Sequence, residues 1–349
     1  MNPLTNHQKL KWGILGCARV ARQVMAPGIQ QSRNGTIQAV ASRSLENARQ
    51  FARNFDIERS YGSYDELLCD PDIQAIYNPL PNNLHKYWTI RAAEAGKHVL
   101  CEKPLAVNAS EGREMVTACE QNNVTLMEAF AHTFQPQNLH IKRLIDQGRI
   151  GKILRLTAVH SSARPPEGDV RLDKNLAGGV LMDKGCYCVN TARFLFGAEP
   201  ISVYATAEFG TTSGVDERVI ATLEFPAGGV AQFDCSFSLA ANSSYCQSYE
   251  VFGASGHIYV PQGVAQVETY RFGKIVDSAF YIGDDAISSP ALEKIPCRGV
   301  HQWQLEAEYF ADCVLQGKPL EFPHENGLAS TLVMDAIYKS ARQERRVQI

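Results

Sequence analysis

Across the first 130 residues, short apolar runs alternate with longer stretches of helical spacing, and this pattern limits the fold most. Residues 11–15, 36–41, 73–77, 98–101 and 124–127 read as strands. Between them, Val20 and Val24 lie four apart, and Ala48, Phe51, Ala52 and Phe55 share a face behind Ser44, a plausible cap. Ser63-Tyr64-Asp65-Glu66 is a capping box ahead of Leu67 and Leu68. Residues 84–95 read as a helix stopped by Gly96, and residues 110–122 as another. Strands separated by helices of about 10–15 residues imply βαβ units and a parallel sheet.

After about Phe130 the pattern changes. One helix over 136–147 stops at Gly148. Strand-like stretches follow at 153–160, 202–209, 219–225, 230–237, 249–252 and 257–260, with turns at Ala227-Gly228-Gly229 and Ala254-Ser255-Gly256. Hairpin spacing predicts a largely antiparallel sheet. Two helices close the chain, one with the stripe Trp303, Ala307, Phe310 and Val314, the other with Leu328, Leu332, Ala336 and Tyr338. The expected class is α/β, with a first domain over 1–130 and an α+β domain over 131–349. No linker composition marks the join, so its place rests on the change of pattern.

Composition narrows the partners. Lys plus Arg is 34 against 37 Asp plus Glu, a net charge of -3, so nothing draws the chain to nucleic acid or anionic lipid. No apolar run reaches the roughly 18 residues of a membrane span. Residues 1–11 are polar and carry no signal-peptide core. The 10 cysteines then read as reduced, small buried hydrophobes in a cytoplasmic protein. No C-x-x-C occurs and the histidines do not cluster, so no metal site is expected.

Gly16-Cys17-Ala18-Arg19-Val20-Ala21 joins the first strand to its helix, the context of a dinucleotide fingerprint. Gly16 makes the tight turn, and Ala18 and Ala21 are small enough for a pyrophosphate and for helix packing. Helix N–H groups and the positive dipole end favour phosphate there. A glycine turn without a ligand is the plainer alternative. After the second strand, where an acidic residue would bind the ribose 2′-OH of NAD, the chain has Ser42 and Arg43. A hydroxyl and a guanidinium suit a 2′-phosphate and favour NADP over NAD, unless Arg43 is an ordinary surface residue.

Glu102-Lys103-Pro104 ends the fourth strand at the sheet edge where ligands bind. Lys103 there could polarise a hydroxyl or carbonyl, or serve only in a salt bridge. Pro104 is compatible with either peptide isomer. In Gly178-Gly179-Val180-Leu181-Met182-Asp183-Lys184-Gly185-Cys186-Tyr187, helical geometry sets Asp183 and Tyr187 on one face. A lysine cation nearby would make Tyr187 a workable acid–base group, with Asp183 holding Lys103 or substrate. Packing and solvation are the bland alternative for this pair.

On these motifs, together with Leu305-Glu306-Ala307-Glu308-Tyr309-Phe310, the chain resembles the glucose-fructose oxidoreductase / inositol dehydrogenase family of NAD(P)-dependent oxidoreductases. The resemblance implies a Rossmann domain followed by an α+β domain whose open sheet forms a homodimer or homotetramer. Many members carry D-x-x-x-H; Tyr187 in place of that histidine resembles the branch of xylose dehydrogenases, dihydrodiol dehydrogenases and nucleotide-sugar 3-ketoreductases. The branch implies catalysis by Lys103 and Tyr187 with Asp183. It also implies cofactor contacts from Pro79, Leu80, Asn82, His85 and Glu102, besides the fingerprint residues. Arg164, Asp169 and Arg171 lie in a polar loop that either binds a sugar-like substrate or is a solvated connector. The expected activity is hydride transfer between NADP(H) and a cyclic sugar, as an aldose 1-dehydrogenase or ketosugar reductase. The alternatives are a dihydrodiol or nucleotide-sugar enzyme, and a non-catalytic dinucleotide-binding regulator.

Overall fold

The computed structural model describes residues 9–238, 245–261, 270–271, 274–275, 277–284, 292–321 and 324–349. The chain forms two compact units. The first comprises residues 1–106, 110–131 and 301–328, the second 107–109, 132–300 and 329–349.

The first unit is built on β1 (Leu10–Leu15), α1 (Ala26–Gln31), β2 (Gly35–Ala41), α2 (Leu45–Asn54), β3 (Arg59–Tyr61), α3 (Tyr64–Leu68), β4 (Ala75–Asn78), α4 (His85–Glu94), β5 (His98–Glu102), α5 (Ala109–Gln121) and β6 (Leu126–Ala129). Its strands pair in parallel in the order β3-β2-β1-β4-β5-β6. This is the doubly wound dinucleotide-binding order, reversing between β1 and β4. Buried Trp12, Ile14, Val40, Ile76, Tyr77, Val99 and Leu100 explain why these strands read as apolar runs. The predicted caps form: Ser44 Oγ accepts from Asn47 N at 3.3 Å and Ser63 Oγ from Glu66 N at 3.2 Å. Glu66 returns its carboxylate to Gly62 N, one residue earlier than a strict box.

The second unit contains α6 (Pro136–Asp146), β7 (Ile153–Ser162), α7 (Cys186–Phe196), β8 (Ser202–Phe209), β9 (Asp216–Glu224), β10 (Val230–Ser236), β11 (Tyr245–Gly253), β12 (Gly256–Val260), the short pair β13 (Tyr270–Arg271) and β14 (Lys274–Ile275), β15 (Ser278–Asp284) and β16 (Glu293–Cys297). Helices α8 (Gln302–Gln316) and α9 (His324–Gln343) and strand β17 (Val347–Gln348) end the chain. The large sheet has nine strands in the order β16-β15-β12-β11-β7-β10-β9-β8-β17. It is mostly antiparallel, but β10 runs parallel to β7, from Val230 opposite Arg155 to Ser236 opposite Ser161. The long excursion through α7, β8 and β9 brings the chain back in the same direction. Strands β15, β16 and β17 had no clear sequence signal. In β16, Glu293, Lys294 and Pro296 disguise an edge strand.

The division differs from a single break near Phe130. Residues 301–328 rejoin the first unit because the stripe on α8 packs on α1, β1 and β2. Phe310 lies 5.2 Å from Trp12, centroid to centroid, and a Cβ on Gly28 would come within 3.0 Å of the Trp303 and Gln304 backbone. All 10 cysteines are free. No helix among the described residues is long and apolar enough to cross a membrane.

Candidate active site

In the first unit, β1 delivers the chain to Gly16, whose φ of +82° suits glycine and whose N–H bonds Ala41 O at 2.7 Å. A Cβ there would come within 3.1 Å of Leu80 and 3.3 Å of the Tyr64 hydroxyl. The turn thus keeps a bare backbone face between the ends of β1 and β4. The helix beyond it starts at Arg19, with Arg22 N bonded to Ala18 O at 3.1 Å, and widens into a π turn at Ala21–Met25, with the Ala26 N–H bonded to Ala21 O, before α1. Ala18, at the head of that helix, has no polar side-chain atom with which to cap its first N–H groups. Cys17 is half-buried, and burial raises its thiol pKa against the Ser42 hydroxyl and the Arg22 charge. Arg19 and Arg43 are exposed. Ser42 is buried, and its Oγ accepts from Ser44 N at 3.3 Å, fixing the loop that carries Arg43. The bare turn, a helix headed by alanine and a serine–arginine pair after β2 fit the pyrophosphate and 2′-phosphate of a dinucleotide.

Glu102 ends β5, Lys103 and Pro104 follow it, and the Lys103–Pro104 peptide is cis. Buried Tyr77 donates its hydroxyl to Glu102 Oε1 at 2.6 Å, and Lys103 N donates to Oε2 at 3.2 Å. Burial raises the Glu102 pKa, opposed by the Lys103 charge and the Tyr77 hydroxyl. Glu128, on β6, accepts from Leu105 N at 2.7 Å. The backbone on both sides of Lys103 is therefore anchored, and the Lys103 side chain is half-buried.

His85 takes a different part from the cofactor contact expected of it. Its ring is buried, with Nδ1 2.9 Å from Pro104 O and Nε2 2.8 Å from Leu80 O. Burial lowers its pKa, against the backbone carbonyls at both ring nitrogens, which favour the protonated ring. His85 braces the loop after β4 against the loop after β5. Leu80 is buried beside Gly16, and its N–H bonds Asn78 Oδ1 at 3.4 Å. Pro79 is buried and Asn82 half-buried in the same loop.

In the second unit, Asp183 and Tyr187 belong to one helical segment, which widens just after its start. Leu181–Gly185 is a π turn, with Cys186 N bonded to Leu181 O, and α7 follows. Asp183 Oδ2 lies 3.8 Å from Arg171 Nη1 and 3.4 Å from Lys184 Nζ. Arg171 also holds Asp169 through Nε at 2.8 Å and Nη2 at 2.7 Å, and Asp169 leads the causes that raise its pKa. Asp169, Arg171 and Asp183 are thus one half-buried charge chain. Arg164, expected beside them, faces elsewhere: it binds Glu217 at 3.0 and 3.1 Å and Glu167 at 2.6 Å.

Three further features escaped sequence reasoning. The Tyr187 ring lies between two buried imidazoles, with centroids 5.3 Å from His132 and 5.1 Å from His160. Neither histidine is near Tyr187 in sequence; strand β7 and the turn before α6 bring them in. Asp216, at the head of β9, reaches the start of the π turn, with Oδ2 2.7 Å from Leu181 N. A groove of about 530 Å³, lined in part by Asn108, Gly178, Met182, Asp335, Lys339 and Arg342, opens beside the same turn.

Comparisons with known proteins identify the family. Residues 10–130 match the profile described as "Oxidoreductase family, NAD-binding Rossmann fold", and residues 138–259 that of the GFO/IDH/MocA C-terminal domain. The chain is 34% identical to D-xylose 1-dehydrogenase (NADP(+)) 2 of Haloferax volcanii, across 97% of this chain and 100% of that protein. It is 37% identical to trans-1,2-dihydrobenzene-1,2-diol dehydrogenase of Xenopus laevis over 72% of this chain and 75% of the relative. A 3-ketoreductase from Actinomadura kijaniata, solved with NADP and TDP-benzene, superposes with a TM-score of 0.87 at 27% identity, covering 95% and 98% of the two chains.

Proposed function

The chain belongs to the GFO/IDH/MocA family of oxidoreductases, and from that premise we propose that it is an NADP(H)-dependent enzyme acting on a carbinol or carbonyl carbon of a cyclic sugar. The aldose 1-dehydrogenase and ketosugar reductase directions are one chemistry run two ways. The full-length likeness to a D-xylose dehydrogenase supports a sugar substrate, and the Actinomadura likeness extends the class to nucleotide-linked sugars. The likeness to a dihydrodiol dehydrogenase sets the competing substrate to be assayed beside them.

The observation that carries the proposal is the turn holding Tyr187 between His132 and His160, one helical turn after an Asp183 fixed by Arg171. A phenol so held can exchange one proton with a substrate hydroxyl as the carbon is oxidised or the carbonyl reduced. Lys103, on a backbone anchored by Glu102, Tyr77 and Glu128, is proposed as the cation that lowers the phenol pKa and steadies developing negative charge on the substrate oxygen. Asp183 and Arg171 orient the remaining hydroxyls. Gly16 to Val20 are proposed to hold the pyrophosphate, and Ser42 with Arg43 the 2′-phosphate. The nicotinamide, when bound, supplies the hydride chemistry. Pro79, Leu80 and Asn82 shape the loop beside it.

The open face of the nine-stranded sheet carries Tyr204 and Ile220, both over 40% exposed, with Arg155 stacked 4.2 Å from the Phe252 ring. This face is proposed to form a homodimer or homotetramer, which sedimentation equilibrium would measure. The free cysteines suit a reducing cytoplasm.

Tyr187→Phe tests the proposal. We expect kcat to fall about 10²- to 10⁴-fold while NADPH affinity by fluorescence titration stays within about twofold. Assays should cover D-xylose, D-glucose, a trans-dihydrodiol and a dTDP-linked 3-keto sugar with each cofactor. Full activity in Tyr187→Phe would defeat the proposed role.

A further inference from the structure

We infer that Asp216 is a positioning residue for this reaction: its carboxylate caps the turn that carries Asp183 and Tyr187, and Tyr338 locks that carboxylate in place. The inference rests on the functional reading above, since it concerns the same turn. Asp216 is 2% exposed, at the first residue of β9. Its Oδ2 accepts from Leu181 N at 2.7 Å, and its Oδ1 accepts from the Tyr338 hydroxyl at 2.9 Å. The first N–H groups of a helix have no partner within it, and a carboxylate satisfies both the hydrogen bond and the positive end of the dipole.

The approach to the turn is shaped around this group. Gly179 has φ +123°, and a Cβ there would sit 2.1 Å from Asp216 Oδ1. Gly178 lies under the Arg171 carbonyl, where a Cβ would be 2.5 Å from Arg171 O. Gly179 N in turn bonds that carbonyl at 2.9 Å. The two glycines therefore seat the chain between Asp216 on one side and the Arg171 backbone on the other. Arg171 is also the residue that reaches Asp183. Leu181 is both the residue whose N–H Asp216 holds and the residue whose carbonyl closes the wide turn on Cys186. Asp216 thus grips the turn at the point that sets the phase of every side chain after it, Asp183 and Tyr187 included.

The groups facing Asp216 are Tyr338 from α9, itself under Arg342, whose guanidinium is 5.5 Å from its ring centroid, and the buried Cys235 thiol from β10. Burial raises the Asp216 pKa to about 6, against the opposing bonds from Leu181 and Tyr338. A carboxylate kept at that site near neutral pH is held against its own solvation, as expected of a group retained for geometry.

Asp216→Asn keeps the shape and removes the charge and one acceptor. Tyr338→Phe keeps the cap and removes its lock. Each should be assayed with NADPH and the best substrate of the screen, and followed by hydrogen–deuterium exchange of the peptide spanning 178–188. Support is a kcat lower by about 10- to 100-fold in Asp216→Asn, less in Tyr338→Phe, with KM within about twofold and faster exchange confined to that peptide. Rescue toward wild-type kcat by Asp216→Glu, which restores the carboxylate, also supports it. An unchanged kcat overturns the inference. Parallel losses in kcat, KM and melting temperature, with exchange faster throughout the second unit, overturn it too, as a general structural role. A wild type without turnover on any substrate counts against the functional reading alone; local exchange in Asp216→Asn then still decides the cap, faster supporting it and unchanged overturning it.

Discussion

Two helices of this protein follow a glycine turn and widen into a π turn soon after they begin, and their first N–H groups meet different partners. After Gly16, the helix that runs into Ala21–Met25 is headed by Ala18, which has no side-chain acceptor to offer. After Gly179, the start at Leu181–Gly185 is filled by the Asp216 carboxylate of the protein itself. The physical demand is the same in both places, a negative group at the positive end of a helix. Supplying it from outside makes a binding site. Supplying it from within makes a rigid platform for the residues that follow.

The largest effect should come from closing the space on the filled start. Gly179→Ala puts a Cβ into Asp216 at a φ that alanine does not tolerate. We expect a loss of about 4 kcal/mol or more in denaturant unfolding, or a chain that does not accumulate as soluble protein. A variant within about 1 kcal/mol of wild type would mean that the carboxylate moves aside easily and is no fixed cap. At the open start, Gly16→Val meets Leu80 and Tyr64 at 3.1 and 3.3 Å. There the expected damage is to binding: an NADPH Kd raised about 100-fold, with a stability loss of about 1–3 kcal/mol for the strained φ. Equal harm to stability in the two variants would erase the distinction between an open start and a filled one.

The filled start also has a pH signature. The Asp216 pKa is raised to about 6 in the folded protein, against about 3.9 unfolded. Between those values the folded state holds a proton that the unfolded state has released, so this group makes stability fall as pH rises through the window. Asparagine does not titrate. The unfolding free energy of Asp216→Asn relative to wild type should therefore improve by about 2 kcal/mol between about pH 4 and about pH 7. A difference that stays flat across that range contradicts a buried, charged Asp216. The expected result has the variant's stability rising relative to wild type as pH climbs to neutral while its kcat stays low.

The sequence displayed these two starts unequally. The first was legible because its partners are local: an apolar strand, a glycine, small residues at set offsets, and Ser42-Arg43 at the end of the next strand. Parallel strands buried on both faces leave uninterrupted apolar runs, so five of the six strands of the first sheet could be read in the same way, while the half-buried edge strand β3, Arg59-Ser60-Tyr61, could not. At the second start the glycines, Asp183 and Tyr187 were visible, but not what holds them. Asp216 comes 35 residues after Leu181 in the chain and reaches it only through the pairing of β9 in the large sheet. His132 and His160 reach Tyr187 through equally distant folding. Neither π turn has a sequence signature, because an extra residue in a turn changes hydrogen bonding without changing the apolar spacing much. The return of residues 301–328 to the first unit was hidden for a related reason: the α8 stripe shows that a face is buried, not which surface buries it.

The smallest effect expected is also the most selective, and it concerns the open start. Arg43 is exposed, and the loop carrying it is fixed by the Ser42 hydroxyl. A guanidinium in that place offers a charge-assisted pair to a 2′-phosphate and little to a bare 2′-hydroxyl. Arg43→Ala should raise the NADPH Kd about 10-fold and leave NADH within about twofold, since one charge-assisted hydrogen bond contributes about 1.5 kcal/mol. Fluorescence titration of both nucleotides against the same preparation measures it. The unfolding free energy without nucleotide should change by less than about 0.5 kcal/mol, as for other exposed side chains. An equal loss of both nucleotides would place Arg43 on the adenine or the pyrophosphate instead, and discrimination would then fall to Ser42 and the backbone beside it. Loss of NADPH alone would show that the open start and the loop after β2 divide the cofactor between them, the one taking the charge common to both nucleotides and the other the charge that tells them apart.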